Sequence, residues 1–74
     1  MERFESSKLD PERLSAWHAA HAEGLRAFVY GLLRDHSAAD EAVQATFVKA
    51  LTHGVDVQPG AERSWLFQVA FNEA

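Results

Sequence analysis

An all-α fold, a small bundle of three to four helices, follows from three features of this sequence. From Leu25 to Leu33, apolar residues recur at offsets of three, four, seven and eight, which lines one face of a helix. No segment alternates apolar and polar residues as a strand would. Helix punctuation then divides the chain: Asp10-Pro11 opens a helix, Ser37 restarts one, and Gly54 and Pro59-Gly60 separate the second from the last.

Residues 1–9 show no period and are expected to be a flexible leader, with one folded domain over residues 10–74. Asp10 can cap a helix, Pro11 suits its first position, and Glu12 complements the positive end of the dipole. Leu14, Trp17 and His21 continue at helical spacing, and Gly24 is expected to divide the helix in two. The stripe Leu25, Phe28, Val29, Leu32 and Leu33 follows, with Arg26 and Arg34 off it, so this segment is half-buried and amphipathic. Ser37 with Asp40 three residues on resembles a capping box, Asp standing in for the usual Glu or Gln. The second helix should run from there to Thr52 or His53, with Gly54 as its stop. Residues 55–60 read as a loop, since Pro59-Gly60 is turn chemistry. The last helix should begin near Ala61 and meets no Gly, Pro or cationic last turn before Ala74. It is therefore expected to continue in a longer parent chain.

Composition narrows the function. With 47% apolar residues the chain can build a core, but 74 residues bury only a modest area, so stability depends on good packing. No run approaches a membrane span, and the start lacks the apolar centre of a signal peptide, so a cytoplasmic protein with no membrane role is expected. There is no cysteine, which removes disulfides and thiolate metal sites. A net charge of −4 argues against a free-standing nucleic-acid binder, whose affinity rests on neutralising phosphates.

Turning about 100° per residue puts Ala39, Val43, Phe47, Ala50 and Leu51 on one side of the second helix, as core. Glu41, Gln44, Ala45, Val48 and Thr52 share the other side. A solvated face would carry more charge than this strip, and its mix of small, polar and apolar groups suits docking of another helix. The plainer reading is a surface helix with one stray valine, and the residues alone favour it. Between Asp35 and Asp56 four acids (Asp35, Asp40, Glu41, Asp56) stand against Lys49, so a partner docking here should be basic.

On the last helix, Trp65, Leu66, Val69 and Ala70 form the core arc, while Gln68 and Asn72 make a pair of amides beside the edge of Trp65. Phe67 and Phe71 fall on a third arc. Amides can read base edges and aromatic rings can stack on unpaired bases. The plainer reading, again favoured by the residues alone, is a helix sandwiched in a bundle with both Phe residues buried.

Catalytic and metal chemistry find little support. His18 and His21 are three apart on one face, yet no third or fourth ligand completes a set. His36 and His53 sit at helix ends, where capping is the ordinary explanation. No nucleophile elbow, glycine-rich phosphate loop or paired carboxylates occur, so neither an enzyme nor a cofactor is expected.

The run Ala39-Asp40-Glu41-Ala42-Val43-Gln44 with Thr46-Phe47 and Ala50-Leu51, followed by Ser64-Trp65-Leu66-Phe67-Gln68-Val69-Ala70-Phe71-Asn72, resembles domain two of bacterial sigma factors. The likeness is to the extracytoplasmic-function class of the sigma-seventy superfamily and spans about residues 14–74. It implies a transcription initiation factor domain. In that family the glutamine helix docks on a basic coiled coil of the polymerase beta-prime subunit, which would make Asp40, Glu41, Gln44 and Val48 polymerase contacts. The loop and tryptophan helix recognise and melt the minus-ten promoter element and hold bases of the non-template strand. Arg63, Ser64, Trp65, Gln68 and Asn72 would then face promoter DNA. An anti-sigma factor is a further partner the resemblance allows.

The chain departs from the family pattern at three places. Ala45 stands where glutamate is common, and Phe71 where a basic or small residue is common. The sequence also stops where the family's helix enters a basic stretch, with Glu62 and Glu73 against Arg63 from Ala61 onward. The chain is thus expected to be a fragment that binds promoter DNA poorly by itself, and its uncovered aromatic residues make self-association plausible. The competing reading is a helical interaction module for an inhibitor or adaptor, with no DNA role.

Overall fold

The computed structural model describes residues 8–74, and most of the expected leader lies outside them. Among the described residues three helices form the fold: α1 (Pro11–Leu33), α2 (His36–His53) and α3 (Glu62–Glu73), with a 3-10 turn at Gly54–Asp56 between the last two. No strand occurs among the described residues, and all three helices pack on one another. The all-α expectation holds.

Helix α1 runs unbroken through Gly24, against the expected division. A mid-helix glycine costs about 1 kcal/mol relative to alanine, and full burial of Leu25 and Val29 just beyond it outweighs that cost. Phe67 of α3 approaches here, its Cζ 3.6 Å from where a β-carbon on Gly24 would stand. Arg34 closes α1 in a left-handed conformation (φ 58°), its N–H donating to the Tyr30 carbonyl at 2.7 Å. Asp10 holds the N-cap position with Pro11 behind it, but its side chain makes no cap bond.

Helix α2 starts one residue earlier than expected, and its cap is Asp35. The Asp35 carboxylate accepts from the Ala38 N–H at 3.0 Å, so the Ser37–Asp40 box does not form. The left-handed turn at Arg34 leaves Asp35 extended (φ −145°), the backbone geometry an N-cap needs. At the other end Gly54 is the C-cap but stays right-handed (φ −68°), and the chain winds on into the 3-10 turn. Gln58–Ala61 is then a tight turn, with the Ala61 N–H donating to the Gln58 carbonyl at 3.0 Å. Gly60 supplies its positive φ of 91° after Pro59, the pattern of a type II turn.

The core joins all three helices: Trp17, Leu25 and Val29 from α1, Ala39, Ala42, Val43, Phe47 and Ala50 from α2, and Leu66 and Ala70 from α3. Leu9 belongs to it as well. It is 1% exposed and its N–H donates to the Leu51 carbonyl at 2.9 Å, so the last residue of the expected leader is docked. Thr46 is fully buried, satisfied by donating its hydroxyl to the Ala42 carbonyl at 2.8 Å. Leu32, placed on the core stripe by spacing, is largely exposed, and Leu51 is only half-buried.

Candidate functional site

Burying Ala39, Val43, Phe47 and Ala50 turns the opposite side of α2 outward as a ridge of Glu41, Gln44 and Val48, all exposed. Two depressions flank it. One, mostly apolar, is lined by Leu14 and His18 of α1 with Val43, Gln44, Phe47, Val48 and Leu51 of α2. The His18 ring packs there against Phe47, 4.9 Å between centroids. The other is lined by Leu33, Ala38, Glu41, Ala42 and Ala45 with Glu73 and Ala74. Small residues on that side let a partner approach closely, and Val48 at the edge of the first offers an apolar anchor.

The charge of this region is more committed than the sequence suggests. Asp35 caps α2, and Asp40 accepts from Arg26 Nε of α1 at 2.5 Å. Lys49 is paired with Glu73 of α3, Nζ to Oε2 2.6 Å. Glu41 is therefore the one ridge carboxylate without an ion pair among the described residues. The four-to-one acidic excess contracts, at the ridge itself, to a single free negative charge.

Helix α3 separates its faces along two flanks. Leu66 and Ala70 point into the core, and Trp65 lies half-buried with its ring 6.4 Å from that of Trp17. Ser64, Gln68 and Asn72 are exposed in a line, as is Arg63, whose guanidinium carbon lies 4.6 Å from the centroid of the Phe67 ring. Glu62 reaches back to accept from the Gly60 N–H at 3.0 Å, which ties the start of α3 to the turn before it. The expectation that both Phe residues are buried fails at Phe71, which is 56% exposed, whereas Phe67 packs on Phe28 at 5.2 Å. Of the aromatic residues expected to stay uncovered on this helix, Phe71 is the exposed one, while Trp65 and Phe67 are half-buried.

The structure thus gathers Glu41, Gln44 and Val48 on one ridge and Ser64, Gln68 and Asn72 on one line. It sets Asp40 apart in a pair with α1, and Trp65 on the flank of α3. His36, stacked on Tyr30 at 4.1 Å and 11°, contributes to neither face. Among the described residues no helix is long and apolar enough to cross a membrane.

The family model of sigma-70 region 2 matches residues 17–74. The chain belongs to that family. Sigma-70 region 2 is a non-catalytic part of a transcription initiation factor, involved in binding core RNA polymerase and in promoter DNA binding and melting. The matched span takes in both α2 and α3, and hence both exposed faces of this region 2 domain. No curated protein and no solved structure matches it.

Proposed function

We propose that this region 2 domain, of the extracytoplasmic-function class, docks the α2 ridge on the basic coiled coil of the polymerase beta-prime subunit. Helix α3 then presents Arg63, Ser64, Trp65, Gln68 and Asn72 to the non-template strand of the minus-ten element, in the cytoplasm where polymerase works. The observation that carries the reading is Val48: it is 63% exposed, beside Gln44 and an apolar groove, on a ridge with a single free carboxylate.

Magnitudes assign the parts. Full burial of a valine-sized side chain is worth about 1.5–3 kcal/mol, whereas an exposed ion pair contributes about 0–1 kcal/mol. Val48 therefore supplies affinity, Gln44 supplies a directional hydrogen bond, and Glu41 steers a basic partner. Asp40 acts indirectly, by holding α2 against Arg26 of α1. An anti-sigma factor that covers Val48 would compete with polymerase for the same ridge.

The test is titration of the isolated beta-prime coiled coil with the chain. Saturable binding that Gln44→Ala and Glu41→Arg both weaken supports the reading. A folded chain that does not bind overturns it in favour of an interaction module serving another protein.

A further inference from the structure

Of the four histidines, His18 alone lines the apolar groove beside Val48. His36 is stacked on Tyr30, His53 is the last residue of α2, and His21 is half-buried one turn along α1 from His18. The His18 ring is exposed, and it lies tilted by 53° on Phe47, which is buried in the core. The other walls of the groove are Leu14, Val43, Gln44, Phe47, Val48 and Leu51, none of which titrates. Within a turn of those walls α1 carries Glu12, Arg13 and His21, and α2 carries Asp40, Glu41, Lys49 and His53. Arg13 lies over Trp17, Asp40 is paired with Arg26, and Lys49 with Glu73. Lys8 and Asp10 flank Leu9 where it meets Leu51. No residue of α3 or of the 3-10 turn lines the groove.

We propose that His18 makes docking on the α2 ridge depend on pH: its neutral ring admits a basic partner, and its protonated ring turns that partner away. This rests on the reading that the ridge takes a basic coiled coil, and adds to it a residue of α1 and a direction of regulation. Val48 and His18 share one groove, so a partner that covers the valine meets the imidazole as well. A protonated ring there meets two costs on docking. It loses water, which disfavours the charged form, and it faces a surface of its own sign. The neutral ring meets neither. It offers an apolar body and one N–H donor, in a groove whose one other polar wall is Gln44.

The free chain imposes no such penalty. There the ring is open to water, and its aromatic neighbour Phe47 tolerates a cation. Docking and protonation therefore oppose each other, and by linkage complex formation expels the His18 proton. The sign follows: affinity is complete above the range in which the free ring titrates, and it is lost as the pH falls through that range. Carboxylates and lysines keep their charge across the histidine window of about pH 5.5 to 8. The pull of Glu41 on a basic partner is thus constant while the push of His18 changes.

The experiment is titration of the isolated beta-prime coiled coil with the chain at about pH 7.5 and about pH 5.5, for the parent, His18→Gln and His18→Arg. Circular dichroism at both pH values checks that each chain is folded. The parent should bind about five- to tenfold more weakly at the lower pH, since a one-unit difference between free and bound imidazole carries a factor of ten at its limit. Titration of the coiled coil itself is common to every variant, so the parent's pH ratio divided by that of His18→Gln reads His18 alone. His18→Arg, a fixed cation, should bind at the higher pH no better than the parent does at the lower. By NMR the His18 ring protons should titrate at lower pH in the complex than in the free chain, with His36 unmoved. If the parent and His18→Gln share one pH ratio while Gln44→Ala still weakens binding, the pH role is wrong and the docking reading survives. If no chain binds at either pH, both fail. A His18 midpoint that rises in the complex would mark an acidic surface over the groove and would overturn the proposal.

Discussion

Gly54 sits so close to the Trp17 indole that a β-carbon there would lie 3.0 Å from Cζ3, with Leu9 Cδ2 at 3.2 Å. The glycine at the end of α2 is thus required by packing, since its φ of −68° suits any residue. Trp17 has little room to yield, with Arg13 over its ring at 5.6 Å and Trp65 at 6.4 Å. Gly54→Ala should destabilise by about 1–3 kcal/mol, the cost of overpacking. Gly31 offers the contrast: it lies within α1, and a β-carbon there would meet nothing within 4 Å. Gly31→Ala should stabilise by about 0.5–1 kcal/mol. Urea unfolding of both variants checks the pair, and equal effects would contradict the packing account.

The start of α2 gives a second prediction. Asp35 bonds the Ala38 N–H, while Ser37 makes no such cap. Asp35→Ala should cost about 0.5–2 kcal/mol, and Ser37→Ala should change stability little. Thermal melts showing the reverse order would restore the capping box.

On the α2 ridge, Val48→Ala should weaken coiled-coil binding more than Glu41→Gln at moderate salt, because apolar burial outweighs an exposed pair. Glu41→Gln should act chiefly on the association rate and its salt dependence. Stopped-flow or surface kinetics separate the two.

Asp40 should behave differently from Glu41. Both partners of the Arg26–Asp40 pair are 47% exposed, so solvent screens it and its loss should cost at most about 1 kcal/mol of stability. Asp40→Asn should leave coiled-coil affinity nearly unchanged. An effect as large as that of Gln44→Ala would make Asp40 a direct contact.

How much of this was legible in the sequence varied with the range of the interaction. Helix existence, the Pro59-Gly60 turn and the outward placement of Glu41, Gln44 and Val48 follow from periodicity and local turn chemistry, and the structure has them. Gly24 did not divide α1, because contacts across the bundle at Leu25 and Val29 override local propensity. Asp35 displaced Ser37 as cap once Arg34 turned left-handed, which no pattern of residue types encodes. Leu9 looked unstructured because the groups it docks beside, Leu51 and Gly54, are distant in sequence. Periodicity put Phe67 and Phe71 on one arc without saying which of them is covered, and the packing of Phe67 on Phe28 of α1 decides that.

The central claim is that one domain serves two partners from two helices, polymerase from α2 and DNA from α3. Its most direct test is to follow the backbone and side-chain resonances of the chain as the isolated beta-prime coiled coil is added. The account expects shifts concentrated at Glu41, Gln44 and Val48 and the groove beside them, with Ser64, Gln68 and Phe71 unmoved. Shifts centred on α3, with the α2 ridge silent, would contradict it.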